Sequence, residues 1–336
     1  MLNFAIVGFG GLGKLHFRNV EEVTNKAGDV KLVAICDVDK KAFESYAETN
    51  LIANQKAADL SEYNIYYDAE ELFASEKLDF IITALPTYLH EKIAVMAMEH
   101  GIHVFSEKPM AINHSQAQNM INKAKEKGVK LMIGMVLRFM PAYVMLKEMI
   151  DSLKYGKVVC GEFSRLSKTP DWSWQNWMLD ESRSGSAILD LHVHDVDFIN
   201  WAFGMPKAVT SAATSGKVAH ESITTIYDFG DEKVITAKAD WGYPASYPFG
   251  AIFRVRFEKA TVELTRDGMW LYPEDGDAQK LELPEGNGYA LEVIEFINCI
   301  KENRDSKINP PEAAIRSLDI VFTEIKSANT KTTVIL

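Results

Sequence analysis

Short apolar runs alternate with stretches of helical spacing through the first part of the chain. Residues 2–7 run apolar into Gly8, residues 31–36 into Asp37 and residues 79–85 into Pro86, with further runs at 103–105 and 130–133. Runs of this length, bounded by turn residues and lacking strict alternation, predict strands buried on both faces. Helical spacing fills 11–26, 39–50, 88–100 and 115–127. Strand alternating with helix predicts an α/β domain built on a doubly wound parallel sheet. The methionine-rich stretch 132–149 reads as a lead-in strand and a core helix.

The pattern changes after about residue 155. Stretches 158–166, 208–216, 222–228, 233–241, 251–258, 260–265 and 269–272 resemble strands, with one long helix near 184–203 and two closing helices near 288–303 and 311–328. This predicts an α+β domain on a largely antiparallel sheet. No repeat or low-complexity linker marks the junction, so the boundary lies softly between 125 and 155, giving domains 1–125 and 126–336.

The first strand runs into Gly8-Phe9-Gly10-Gly11-Leu12-Gly13, a G-x-G-x-x-G spacing that opens a helical stretch. The first glycine permits a tight turn, the second lets backbone N–H groups approach a pyrophosphate, and the third lets helix pack on sheet. The helix N-terminus then faces the anion. Alone the spacing is weak; between a strand and a helix it predicts dinucleotide binding. Asp37, at the end of the second strand, can accept both ribose hydroxyls of an adenosine and would repel a 2′-phosphate. NAD is therefore expected, with NADP kept open by Lys40 and Lys41.

Two further clusters carry chemistry. Glu107-Lys108-Pro109 follows the strand at 103–105, at the rim where ligands of parallel sheets bind; by pattern alone the favoured reading is a surface Lys-Glu pair. Asp190 and His194 stand four apart in an apolar helical stretch, hence on one face. A histidine oriented by a carboxylate is a general base, and a satisfied core pair is the competing reading. His192, Asp195 and Asp197 add metal-ligand types, but residues two apart point to different helix faces, so no metal is expected. Trp172, Trp174 and Trp177, interleaved with polar residues, suit either a carbohydrate platform or a loop pinned by its rings. Arg165 and Arg183 are candidates for an acidic substituent.

Composition narrows the function. The 336 residues carry a net charge of −11 with 47% hydrophobic residues, which argues against a nucleic-acid binder. No apolar run is long enough to span a membrane, and the N-terminal stretch lacks the features of a secretory signal. Cys36, Cys160 and Cys299 are odd in number and far apart, so they read as buried thiols in a reducing, cytoplasmic setting.

The order of Gly8-Phe9-Gly10-x-x-Gly13, Pro86-Thr87-x-x-His90, Gly101-Ile102-His103-Val104-x-x-Glu107-Lys108-Pro109, Arg138-Phe139-x-Pro141 and Gly185-Ser186-Ala187-x-x-Asp190-x-x-x-His194-x-x-Asp197 resembles the glucose–fructose oxidoreductase/inositol dehydrogenase (Gfo/Idh/MocA) family over the whole chain. The resemblance implies an N-terminal Rossmann domain and a C-terminal domain with an open sheet, and a homodimer or homotetramer through that sheet. It implies Lys108, Asp190 and His194 as catalytic residues. It places Leu85, Pro86, Thr87, His90 and Glu107 beside the cofactor with the glycine turn. His192 stands where many members have a small residue, and is a candidate substrate contact with the three tryptophans. The implied reaction moves a hydride between NAD(P) and a secondary hydroxyl of a sugar or polyol. His194 takes the hydroxyl proton, Asp190 orients it, and Lys108 hydrogen-bonds the reacting oxygen. An NAD-assisted lyase or glycosidase and a non-catalytic nucleotide sensor are the alternatives.

Overall fold

In a computed structural model, residues 1–44 and 59–336 are described. They form two compact units. The first comprises Met1–Met135, Trp172–Trp177 and Tyr289–Ile315; the second comprises Val136–Asp171, Met178–Gly288 and Arg316–Leu336. The boundary expected after residue 125 falls after Met135, and two later segments return to the first unit.

The first unit holds strands β1 (Leu2–Val7), β2 (Val30–Cys36), β3 (Asn64–Tyr66), β4 (Phe80–Thr83), β5 (His103–Ser106) and β6 (Leu131–Ile133). They pair in the order β3-β2-β1-β4-β5-β6, every pair parallel. Helices α1 (Gly11–Arg18), α2 (Val20–Ala27), α3 (Ala69–Ser75), α4 (His90–Glu99) and α5 (His114–Lys127) connect them. The helix expected over 11–26 breaks at Asn19. Of the one expected over 39–50, a 3₁₀ turn at Lys40–Phe43 is seen, and residues 45–50 lie outside the described residues. β1 and β4 pair centrally, and their rings stack, Phe4 on Phe80 at 4.7 Å. Phe296, from the C-terminal part of the chain, meets Phe80 and Phe105 edge-on. Burial of one such ring contributes about 1.5–3 kcal/mol.

The second unit contains α6 (Pro141–Ser152), β7 (Val158–Lys168), α7 (Glu181–Ser184), α8 (Val193–Phe203), β8 (Ala208–Thr214), β9 (Ser222–Asp228), β10 (Val234–Tyr243), β11 (Gly250–Phe257), β12 (Ala260–Thr265), β13 (Gly268–Pro273) and β14 (Gln279–Leu281). After α9 (Gly288–Lys301) and α10 (Pro311–Thr330), β15 (Val334–Ile335) ends the chain. The nine strands run β14-β13-β12-β11-β7-β10-β9-β8-β15. Every pair is antiparallel except β7 with β10. Period-two alternation makes one face of the sheet apolar: Phe163, Ala237, Ala239, Phe253, Val255, Val262 and Leu271 are buried. Phe198 of α8 packs on that face, 5.5 Å from Phe163. The single helix expected over 184–203 is instead α7, a π-turn at Ile188–His192, and α8.

Candidate cofactor and proton-transfer sites

In the first unit, the carboxyl ends of β1, β4 and β5 are knitted by backbone hydrogen bonds. Gly8 N–H donates to Cys36, Ala84 N–H to Val7 and Glu107 N–H to Thr83. The strand order reverses between β1 and β4, so this edge is the crevice where doubly wound sheets bind ligands. The glycine turn fits a dinucleotide there. Gly8 has φ +93°, and a Cβ on it would lie 2.4 Å from the Ala84 oxygen. A Cβ on Gly13 would lie 1.9 Å from the Gly8 oxygen, whereas one on Gly10 would meet open space. The turn is thus closed on the protein side and open at the N-terminus of α1, where orphan N–H groups point outward. Gly11 and Leu12, half-buried, complete it. Nearby, the buried hydroxyls of Thr83 and Thr87 have no hydrogen-bond partner among the described residues, consistent with donors left for a ligand. Gly13→Ala should force the turn apart and weaken NAD binding by at least about tenfold, near 1.4 kcal/mol. An unchanged dissociation constant, read by fluorescence titration, would show that the turn does not hold the cofactor.

Asp37 lies where the sequence put it. Its Oδ2 accepts from Phe9 N–H at 2.6 Å and its Oδ1 from Asp39 N–H at 2.8 Å. Burial pushes its carboxyl up, and those two N–H groups oppose the shift. Each oxygen keeps a lone pair for a ribose hydroxyl. Lys14, not singled out from the sequence, lies over the Phe9 ring at 5.5 Å. Desolvation lowers its pKa while Asp37 raises it.

The lysine turn is braced from beneath. His90 is fully buried, its Nδ1 2.7 Å from the Pro109 oxygen and its Nε2 2.8 Å from the Leu85 oxygen. It ties the Leu85-Pro86-Thr87 segment to Lys108-Pro109 rather than offering itself at the surface. Desolvation lowers its pKa, and the hydrogen bonds to the Leu85 and Pro109 carbonyls oppose that shift. Glu107 is also buried, gripped by His16 of α1, Nε2 to Oε1 at 2.6 Å. From Val104 to Ala111, every residue is buried except Lys108.

In the second unit, the π-turn and α8 show the same contrast. From Ser186 to Asn200 every residue is buried except Asp190 and His194. Asp195 and Asp197 are held by arginines. Arg165 reaches Asp195 with Nε at 3.1 Å and an Nη at 3.0 Å, and Arg138 reaches Asp197 at 2.8 and 2.9 Å. Arg165, a candidate for an acidic substrate, is therefore a buried structural partner. His192, expected at the substrate, turns into the core: its Nε2 lies 3.2 Å from Glu324 and 3.4 Å from the Tyr227 hydroxyl, and it has no exposed surface. π-turns insert one residue into a helix and are frequent at functional sites.

Trp172, Trp174 and Trp177 fall in the segment that packs with the first unit. Gln175 and Asn176 there adopt left-handed φ of 50° and 51°, and Trp174 is 38% exposed. Burial pushes the Cys36 and Cys299 thiols up to about 12, so both are inert at neutral pH; Cys160 is half-buried. No helix among the described residues is long and apolar enough to cross a membrane.

Comparison with known proteins agrees with this geometry. The model of the oxidoreductase family with an NAD-binding Rossmann fold matches residues 2–135, and that of the GFO/IDH/MocA C-terminal domain matches residues 143–263. A scyllo-inositol 2-dehydrogenase (NADP(+)) of Bacillus subtilis is 25% identical over 96% of this chain and 95% of its own. A 2,7-anhydro-N-acetylneuraminate hydratase of Mediterraneibacter gnavus is 28% identical over 69% of this chain, which spans only 56% of that protein. Among solved structures, the WlbA dehydrogenase of Bordetella pertussis, in complex with NADH and UDP-GlcNAcA, superposes with a TM-score of 0.80 at 19% identity, covering 100% of this chain and 98% of that one. With its glycine turn, Glu-Lys-Pro turn and Asp-x-x-x-His helix each in the matching domain, the chain belongs to the Gfo/Idh/MocA oxidoreductase family.

Proposed function

We propose that this chain is an NAD(P)-dependent dehydrogenase acting on a secondary hydroxyl of a sugar or polyol. The observation that carries the reading is the pattern of exposure. In two otherwise buried runs, the side chains that stay only half-buried are Lys108 in one and Asp190 and His194 in the other. A bound nicotinamide supplies the hydride acceptor. His194 takes the proton of the hydroxyl that is oxidised, Asp190 orients the imidazole and stabilises its charged form, and Lys108 hydrogen-bonds the reacting oxygen. Trp172, Trp174 and Trp177 offer apolar ring faces to a carbohydrate.

The inositol and sugar relatives guide the test. Inositols, hexoses, a UDP-linked sugar and 2,7-anhydro-N-acetylneuraminate are incubated with NAD or NADP, following the reduced-nicotinamide absorbance and the products by mass spectrometry. A rise in absorbance with at least one hydroxylated substrate is expected. Product without net reduction would instead indicate transient oxidation, with the cofactor returned to its starting state. Cofactor binding without turnover across the panel would overturn the enzymatic reading. Asp37→Ser should shift preference towards NADP by at least about tenfold by removing a like charge; an unchanged ratio of NAD to NADP affinity would place the ribose elsewhere.

The outer face of the nine-stranded sheet supports a homo-oligomer, a dimer or tetramer of this chain. Ile226, Val234, Ile252 and Tyr272 share that face by register and are 50%, 52%, 38% and 40% exposed, apolar side chains that pairing with a second copy of this chain would bury. With thiols that read as reduced, we place the protein in the cytoplasm.

A further inference from the structure

Ser317, Glu324 and Ser327 of α10 have no exposed surface within the second unit. Two turns and then one turn apart, they share one helical face. Each meets an element that carries or backs the candidate proton-transfer pair. Ser317 donates to Asp197 of α8 at 2.8 Å, and Ser327 accepts from Ser211 N–H of β8 at 2.9 Å. Glu324, between them, brings Oε2 to 3.2 Å from His192 Nε2, at the end of the π-turn. The Tyr227 hydroxyl of β9 closes on the same nitrogen at 3.4 Å, and all three side chains are buried. Neither Glu324 oxygen has an aligned hydrogen bond among the described residues. A carboxylate so enclosed needs a counter-charge, and the imidazole is the basic group set against it. Desolvation first, and the Glu324 charge next, hold the Tyr227 phenol well above its usual pKa, so it stays neutral beside the pair. Residues two apart point to different sides of a helix. His192, buried, therefore backs the half-buried Asp190 and His194.

We propose that Glu324 is a positioning residue for the reaction: paired with His192, it pins the inner side of the π-turn and so aims Asp190 and His194, on the outer side, at the substrate. Apolar burial holds a helical segment down but is non-directional, so it leaves the rotation of the π-turn about its axis loosely set. A buried ion pair is satisfied at one rotation only, which is the registry role that such pairs serve best. Glu324, without exposed surface, acts through His192 and not on the substrate. The proposal rests on the reading of Asp190 and His194 as the proton-transfer pair.

Three variants of the full chain test it, assayed on a substrate that the panel identifies. Glu324→Leu strips the imidazole of its partner and should lower kcat by about tenfold to a hundredfold, the scale of a slight misplacement, with KM and NAD affinity within about twofold of wild type. Glu324→Gln keeps a polar contact of the same shape and should hold kcat within about threefold of wild type. Glu324→Leu combined with His192→Leu removes both polar groups and orphans neither, so its melting temperature should return to that of wild type or above. Its kcat should stay as low as that of Glu324→Leu, because nothing directional holds the turn. Wild-type kcat in Glu324→Leu, a Glu324→Gln chain as slow as Glu324→Leu, or a loss confined to KM or NAD affinity would overturn the proposal. So would a double variant that does not fold, or one whose kcat recovers together with its melting temperature, the mark of a merely structural role. If Glu324→Leu alone does not fold, the other two variants decide: turnover must be kept in Glu324→Gln and lost in the double variant. Full turnover by His194→Asn, or a panel without turnover, would overturn the reading of the proton-transfer pair, and the proposal with it, whatever the His192–Glu324 pair does.

Discussion

Replacing His194 with asparagine is expected to lower turnover by about 10²–10⁴-fold, the contribution of one positioned proton catalyst, while NAD affinity stays unchanged. The reason lies in how the segment is built. Between Ser186 and Asn200 the helix commits its apolar side chains, two aspartates and His192 to the interior of the second unit, and only Asp190 and His194 are half-buried. Removing the imidazole thus deletes chemistry without opening a cavity in the core, so the melting temperature should move little. Steady-state rates on a substrate that the panel identifies, with NAD titrations of the same variant, provide the check. Full turnover by His194→Asn would remove the residue from the mechanism. A matching loss of turnover and folding stability would show that its role is packing. Asp190→Asn should cost less, because the base remains and only its orientation and the stabilisation of its charged form are lost.

Local pattern foretold what local physics determines. The five apolar runs of the first unit are strands because each is short, apolar and stopped by Gly8, Asp37, Pro86 or a comparable turn residue. β3 escaped notice because Asn64-Ile65-Tyr66 is too short to show a period. The break at Asn19 and the π-turn at Ile188–His192 leave the apolar spacing almost intact, so periodicity reads straight through them. Which sheet a helix covers is a non-local property: the apolar face of α9 was legible, but not that Phe296 would cover Phe80 and Phe105 of the first unit.

The same distinction holds at the sites. That Asp37 follows β2, that Lys108 follows β5 and that Asp190 and His194 stand four apart in a helical stretch was legible from local pattern. His16 and Glu107 are 91 residues apart, and Arg165 meets Asp195 from a strand 30 residues earlier, so only the folded chain reveals that these groups pair with one another. For His192 the signal was its place among residues whose apolar neighbours are all buried.

Asp197→Ala should destabilise the second unit by about 3–5 kcal/mol, because it leaves the Arg138 guanidinium buried without its counter-charge. Both Asp197 oxygens are engaged by Arg138, at 2.8 and 2.9 Å, and Ser317 on α10 donates to Oδ1 at 2.8 Å. The two side chains are 3% and 1% exposed, so solvent cannot replace what is removed. The pair also joins the turn before α6 to the middle of α8, three residues beyond His194, so its loss loosens the element that aims the candidate base. Arg138→Met combined with Asp197→Leu removes both charges and leaves apolar groups of similar size, and should lose less than either single change. Denaturant unfolding followed by circular dichroism measures wild type and each of these variants. Single variants within about 1 kcal/mol of wild type would mean that water reaches the pair, as it does at exposed ion pairs. A double variant as stable as wild type but slow in turnover would show that the ion pair is kept to orient His194 and not to hold the fold.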